Sequence, residues 1–201
     1  MTVNNEDSQW VKNQLTFGQR VVYLVNPGFP KLILDELTKQ VINTTYDRSL
    51  VTGNGEGKMN LDLRASDCGW IYWDTWIAGI MHNIMISANR DFYHYDLVHF
   101  DSKIQATRYK TGQHYGWHVD AGNKDESKEL VRKLSISLIL DSDYEGGELE
   151  IFDPTSRQAL EFKPKAGNII LFPSWVSHRV KPVTSGTRYS LVAWMNGPAF
   201  K

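Results

Sequence analysis

Arg108-Tyr109-Lys110-Thr111-Gly112-Gln113-His114-Tyr115-Gly116-Trp117-His118-Val119-Asp120 is the stretch that decides how this chain is read. It ends in His-x-Asp. On an extended backbone, residues two apart project to the same side, so His118 and Asp120 can aim at one point. A second imidazole, His178, stands far along the chain in Pro173-Ser174-Trp175-Val176-Ser177-His178. Two histidines and one carboxylate form the donor set that leaves three adjacent positions open on a non-haem ferrous ion. Each member taken singly is commonplace. Their combination points to a metal centre with room for reactants, and so to oxygenase chemistry.

Outward from this stretch the pattern is one of alternation, which signals strands. Strands are expected over Tyr93 to Phe100, Ile104 to Tyr109, Leu134 to Leu140, Glu148 to Phe152, Ala159 to Phe162, Asn168 to Phe172 and Thr187 to Trp194. Turn signals separate them, among them Glu145-Gly146-Gly147, Lys165-Ala166-Gly167 and Thr184-Ser185-Gly186. Many short strands punctuated in this way suggest a sandwich or barrel, a set that includes the jelly roll. Before them, Val21 to Val25 reads as a short strand. Pro30 then opens a helix whose core stripe is Ile33, Leu34, Leu37, Val41 and Ile42. Thr52 to Lys58 reads as a loop by its glycine content, a surface excursion or a substrate lid, as does Ala121 to Glu129 beside the His-x-Asp. A second helix is expected over about Asp74 to Asn89, with Trp73, Ile77, Ile80, Met81, Ile84 and Ala88 inward. The aromatic cluster Trp70, Tyr72, Trp73 and Trp76 is expected in the core or at a sheet–helix contact.

At 201 residues the chain suits one domain over 1–201 with a sizeable core. Helices and supporting strands would fill 1–100, and the strand-rich core with the metal site 101–201. An apolar share of 41% with 22% charged residues is that of an ordinary globular protein. A net charge of −1 offers no footprint for nucleic acid or for an anionic membrane. The single cysteine, Cys68, excludes an intramolecular disulfide and a multi-cysteine metal site, and is expected to be a small buried residue. No basic segment followed by an apolar run opens the sequence, and no stretch approaches the roughly 18 apolar residues of a membrane span. A cytoplasmic protein with no membrane partner is expected, in a reducing compartment that suits a ferrous ion.

Arg188 lies in the alternating run Arg188-Tyr189-Ser190-Leu191-Val192-Ala193-Trp194, sharing a face with Ser190, Val192 and Trp194. If that face is inward, the guanidinium needs a partner, and a bound acid can accept its fork bidentately. If Tyr189, Leu191 and Ala193 are inward instead, Arg188 is exposed. Alternation alone leaves both open. Gln105, Thr107 and Tyr109 likewise share one face.

The motifs Arg108-Tyr109-x-x-Gly112-Gln113-x-Tyr115-x-x-His118-x-Asp120, Gly146-Gly147-Glu148-Leu149, Gly167-Asn168-x-x-x-Phe172-Pro173-x-x-x-x-His178-Arg179-Val180-x-Pro182-Val183 and Gly186-x-Arg188 resemble, in order and spacing, the Fe(II)/2-oxoglutarate dioxygenases of the prolyl-4-hydroxylase type. The resemblance runs from about Gln105 to Trp194. It implies a mainly β fold, a double-stranded β-helix (jelly-roll, cupin-like) core buttressed by N-terminal helices. It assigns His118, Asp120 and His178 as ligands of the catalytic Fe(II), Arg188 as the partner of the distal carboxylate of 2-oxoglutarate, and Tyr109 as a residue bordering that pocket. Tyr115, Trp194, Thr107 and Ser137 are candidates for the pocket wall. Animal relatives carry a tyrosine on the strand after His-x-Asp. Leu134 to Leu140 holds none, so a hydroxyl from Ser137 or Thr107 is the candidate helper for Arg188.

The implied reaction is hydroxylation of an unactivated C–H bond using O2, with release of succinate and CO2 and with ascorbate as a candidate reductant. A prolyl residue in a peptide or protein is the substrate that the resemblance suggests. The alternatives are a free amino acid or another small molecule, or a non-catalytic jelly-roll module that holds a metal without consuming 2-oxoglutarate. Nucleic-acid dealkylation is disfavoured, because Trp194 stands where that branch carries a second arginine. Halogenation is disfavoured too, because Asp120 occupies the position that halogenases leave open.

Overall fold

The structure, a computed structural model, describes residues 22–49, 51–53, 56–58, 60, 62–121, 130–141, 143–153 and 157–199. Its strands in chain order begin with β1 (Tyr23–Val25), β2 (Asp47–Arg48), β3 (Val51–Gly53), β4 (Glu56–Lys58), β5 (Arg64–Ala65) and β6 (Asp67–Tyr72). Next come β7 (His99–Phe100), β8 (Lys103–Lys110), β9 (His114–His118), β10 (Leu130–Ile139) and β11 (Tyr144–Gly146). The last are β12 (Leu149–Asp153), β13 (Gln158–Phe162), β14 (Ile169–Pro173), β15 (His178–Val180) and β16 (Val183–Pro198). Helix α1 (Lys31–Ile42) follows β1, and α2 (Trp76–Ala88) follows β6.

Two antiparallel sheets face each other. The larger runs β1-β14-β10-β16-β8-β6-β2, with β7 and β11 also paired to β16, and the smaller runs β13-β12-β15-β9-β5. The fold is the expected jelly-roll core with helices against one sheet. Ile169-Ile170-Leu171-Phe172 shows why the strands of the larger sheet read as nearly continuous apolar runs. Ile169 and Leu171 join α1 and α2 in one core, through Leu37, Val41, Ile77, Met81 and Met85. Ile170 and Phe172 face the other way, into a second core shared with Leu149, Ile151 and Val180 of the smaller sheet. A strand covered on both faces has no polar side to show.

Helix α1 starts at the expected proline, with Leu37 and Val41 fully buried, although Ile42 at the frayed end is 47% exposed. Helix α2 begins later than expected because Thr75 caps it, accepting from the Ala78 amide. Its inner face holds Ile77, Met81 and Ala88 as expected, but Ala78 and Met85 join them. Trp73 lies outside the helix, 65% exposed, while Ile80 and Ile84 are half-buried.

The aromatic cluster is not core: Trp70, Tyr72, Trp73 and Trp76 are all exposed. Trp70 and Tyr72 belong to β6, which the sequence reading missed, near the sheet edge where only the two-residue β2 lies beyond. Cys68 of the same strand is buried, as expected.

Tyr93 to Phe100 is not one strand. Helix α2 runs on into a π-helical turn, Asn89–Tyr93, that ends at His94 in the left-handed region (φ 54°). The Asn89 side chain clamps the exit by accepting from the Tyr95 amide and donating to the Tyr95 carbonyl. The spacing of Tyr93, Tyr95 and Leu97 that imitated a strand comes from packing against the helix-side core. Only His99–Phe100 pairs with β16. Thr52 to Lys58, read as a loop, contains the hairpin β3–β4 with Thr52 opposite Gly57. Glu145 and Gly146, read as turn with Gly147, belong to β11, which pairs with β16. Of Val21 and of Ala121 to Glu129, Val21 and residues 122–129 lie outside the described residues. No helix among the described residues is long and apolar enough to cross a membrane.

Candidate metal centre and anion pocket

Strand β9 delivers His118, and the chain then leaves the strand so that the Asp120 and Ala121 amides both donate to the Ser174 carbonyl. Strand β15 opens with His178, directly opposite His118 in the register. The three side chains therefore meet, with their donor atoms all within 4.8 Å of one another. Each imidazole points Nδ1 at a backbone carbonyl, His118 to Gly116 (2.8 Å) and His178 to Val176 (2.9 Å). A carbonyl can only accept, so Nδ1 carries a proton in both rings and Nε2 is the nitrogen left to meet a metal. Those Nε2 atoms face the Asp120 carboxylate at 3.7 Å and 3.6 Å.

Electrostatics prepare the same donors. Burial first, then the facing His178, pushes His118 down to about 3. Burial alone would raise Asp120, but His178, His118, Trp194 and Arg132 together leave the carboxyl below its usual range. A neutral imidazole beside an ionised carboxylate is the state that a divalent cation requires.

Asp120 is further held by groups that the sequence reading did not single out. Ser135 donates to Asp120 Oδ2 (2.9 Å) and touches the Ser174 hydroxyl (2.9 Å), both serines fully buried. Ser135 sits opposite Trp194 in the β10–β16 register. The Trp194 Nε1 makes no hydrogen bond, yet from beyond that range its N–H dipole helps keep Asp120 charged. Trp194 is braced from its other side by the Arg132 guanidinium, 3.7 Å from the ring centre and itself tied to Asp101. Ser135→Ala is expected to weaken divalent-metal affinity about 10- to 100-fold at unchanged melting cooperativity, as loss of a hydrogen bond to a ligating carboxylate does. Calorimetric titration with Mn(II) reads this directly.

Arg188 is inward, 2% exposed. It lies opposite Tyr109, and its sheet face continues through Ser190 (opposite Thr107) and Val192 to Trp194. That is the face from which Trp194 and Ser135 hold Asp120. Nη1 donates to Ser190 Oγ (3.0 Å), and Nε is buried with no hydrogen-bond partner. Among the described residues no carboxylate pairs with it. Of the candidate helpers, Thr107 lies opposite Ser190 and accepts from Gln105, and Ser137 lies opposite Val192. The partner is Ser190, which alternation had already placed on the same face. Tyr109 is fully enclosed, and burial pushes its phenol up to about 12 against the opposing pull of Arg64 and Arg188. Tyr115 stacks on the His118 ring at 3.5 Å between centroids.

These residues fit a ferrous ion and 2-oxoglutarate. Two neutral imidazoles and a carboxylate suit the metal, and a buried guanidinium with an orphaned N–H suits a carboxylate. Gly147 belongs to this pocket. Its φ is +66°, and a Cβ there would stand 3.0 Å from Arg188 Cδ and from Val183 Cγ2. Gly147→Ala is expected to destabilise the fold by about 1–2 kcal/mol through the left-handed backbone. By displacing Arg188, it should also weaken 2-oxoglutarate binding more than metal binding, which separate titrations of the two would show.

Comparison with known proteins agrees with the geometry. Residues 104–196 match the family model of the 2OG-Fe(II) oxygenase superfamily. A PKHD-type hydroxylase of Psychrobacter sp. (strain PRwf-1) is 45% identical over 92 residues, covering 43% of this chain and 35% of that protein. One of Synechococcus sp. (strain JA-2-3B'a(2-13)) is 41% identical over 102 residues, covering 49% and 43%. The chain thus spans less than half the length of these curated relatives. Among solved structures, a Pseudomonas putida prolyl-4-hydroxylase superposes with a TM-score of 0.70 at 18% identity, over 89% of this chain and 93% of that one. A Trichoplax adhaerens prolyl hydroxylase, solved with a hypoxia inducible factor peptide fragment, gives 0.71 at 19% identity, over 87% and 82%. At such identities the likeness is one of fold. The motif spacing, the gathered His118, Asp120 and His178, and the family match agree: over residues 104–196 this chain is similar to the 2OG-Fe(II) oxygenase superfamily.

Proposed function

We propose that this chain is an Fe(II)- and 2-oxoglutarate-dependent hydroxylase, acting on a prolyl residue of a peptide or protein in a reducing compartment such as the cytoplasm. The observation that carries the cosubstrate is Arg188. Burying a guanidinium without an acid is strongly unfavourable, and this one shares a sheet face with the groups that hold Asp120. A metal-binding module with no cosubstrate would have no need of it. The prolyl substrate rests on the motif resemblance and on the relatives named above.

His118, Asp120 and His178 would hold the iron, and bound Fe(II) with 2-oxoglutarate and O2 would supply the oxidising power for C–H hydroxylation, with release of succinate and CO2. Arg188 would take the distal carboxylate, leaving the keto-acid end to face the metal. Ser190 fixes the guanidinium, and Tyr109, neutral at physiological pH, borders it. Ser135 and the Trp194 indole hold Asp120 ionised and in one rotamer. Val192 and Trp194, with Phe172 packed beside His178 (4.6 Å between centroids), line the site with apolar surface that excludes water.

The test is incubation of the full chain with Fe(II), 2-oxoglutarate, ascorbate and a panel of proline-containing peptides. Succinate release coupled to a mass gain of one oxygen atom on a peptide is expected. Iron binding with no 2-oxoglutarate consumption under any condition would reduce the chain to a metal-binding module.

A further inference from the structure

A second arginine stands beside the metal centre, and among the described residues no carboxylate pairs with it. Arg64, on β5, is 8% exposed. Its Nε donates to Ser66 Oγ and its Nη2 to Cys68 Sγ, both at 2.9 Å. Its guanidinium lies 4.4 Å from the centre of the Tyr115 ring, whose other face stacks on His118. Those partners are a hydroxyl, a thiol and a phenol ring, and among the described residues no carboxylate pairs with Arg64. Its charge is felt first by Cys68, then by Tyr109, Tyr115 and Asp120, the last of which a bound metal would engage. Tyr115 thus links Arg64 to the His118 ring, while Arg188 lies 5.5 Å from the centre of the Tyr109 ring.

A formal count of charge shows what is missing. The ferrous ion and the two guanidiniums are cationic, Asp120 carries one negative charge, and 2-oxoglutarate brings two. One positive charge is left over in a water-poor site. Structural arginines avoid this by pairing, as Arg132 does with Asp101 and Arg108 with Asp67.

Resting on the functional reading above, we propose that Arg64 is a second anion subsite, which takes a carboxylate of the primary substrate and holds it against the Tyr115 side of the metal centre. The substrate class is then a peptide that presents a carboxylate beside the reacting residue, at its chain terminus or on an acidic side chain, rather than an uncharged stretch of chain. Of two substrates with one skeleton, the acid is preferred over its amide.

The probe is acetate, titrated into 15N-labelled full chain loaded with diamagnetic Zn(II) and saturating 2-oxoglutarate, with sodium chloride as the ionic-strength control. The arginine Nε–H resonances are followed, and Arg64→Lys identifies the Arg64 signal. A saturable shift of the Arg64 resonance by acetate is expected, in protein whose Arg188 resonance has already moved on 2-oxoglutarate addition and does not move again. Arg64→Gln should weaken acetate about tenfold or more, and the wild-type titration decides the matter even if that variant does not fold. A shift of Arg64 by 2-oxoglutarate itself, with nothing added by acetate, would assign the carboxylate to the cosubstrate and overturn the subsite. No response to either would make Arg64 a brace for Tyr115, with the same consequence. Failure of Arg188 to respond to 2-oxoglutarate is a separate signal, and it counts against the functional reading rather than against Arg64.

Discussion

Asp120→Ala is expected to abolish iron-dependent succinate formation and to remove high-affinity metal binding, while the far-UV circular dichroism stays that of the parent. The carboxylate is the only anionic donor of the cluster, and it is the atom group that both Nε2 atoms face. Without it, two neutral imidazoles compete with water for the ion at a much lower net attraction. The fold should survive, because Asp120 lies beyond the end of β9 and its backbone amide is held by the Ser174 carbonyl whatever its side chain. His178→Ala should do the same to the metal, with some loss of stability, since that ring also packs on Phe172. Near-normal turnover by iron-loaded Asp120→Ala would show that the ligand set has been misassigned.

Arg188→Ala is expected to weaken 2-oxoglutarate by about two to three orders of magnitude, the scale for losing one partner of a buried charge-assisted pair. Metal affinity should stay within a few-fold of the parent, because Arg188 touches none of the three ligands. Arg188→Lys should recover only part of the loss, since an ammonium cannot present the planar fork. The measurement is the KM for 2-oxoglutarate alongside direct Mn(II) titration. Equal loss of both affinities would mean that the substitution had collapsed the pocket, and an unchanged KM would mean that the distal carboxylate sits elsewhere.

Much of this was legible beforehand because the information was local. His118 and Asp120 are two residues apart, Arg188 and Ser190 likewise, and a period of two survives translation from sequence to strand. The errors have physical causes of the same kind. Tyr93, Tyr95 and Leu97 alternate, but around a π-helical turn clamped by Asn89. Trp70, Tyr72, Trp73 and Trp76 are apolar enough for a core but stand near the exposed edge formed by β6. Hydrophobicity records what a side chain would tolerate, whereas the position of its strand in the sheet decides what covers it.

By itself the sequence determined the donor types, their spacing, and the strand pattern that calls for two facing sheets. Only the tertiary structure decided that Arg188 turns inward and donates to Ser190, that Ser135 and Ser174 steady Asp120, and that Arg64 arrives beside Tyr115 without a carboxylate. These are contacts across strand registers and between sheets, between residues far apart in the chain. Pairing at that range is settled by how the whole set of strands buries its surface, which no local period encodes.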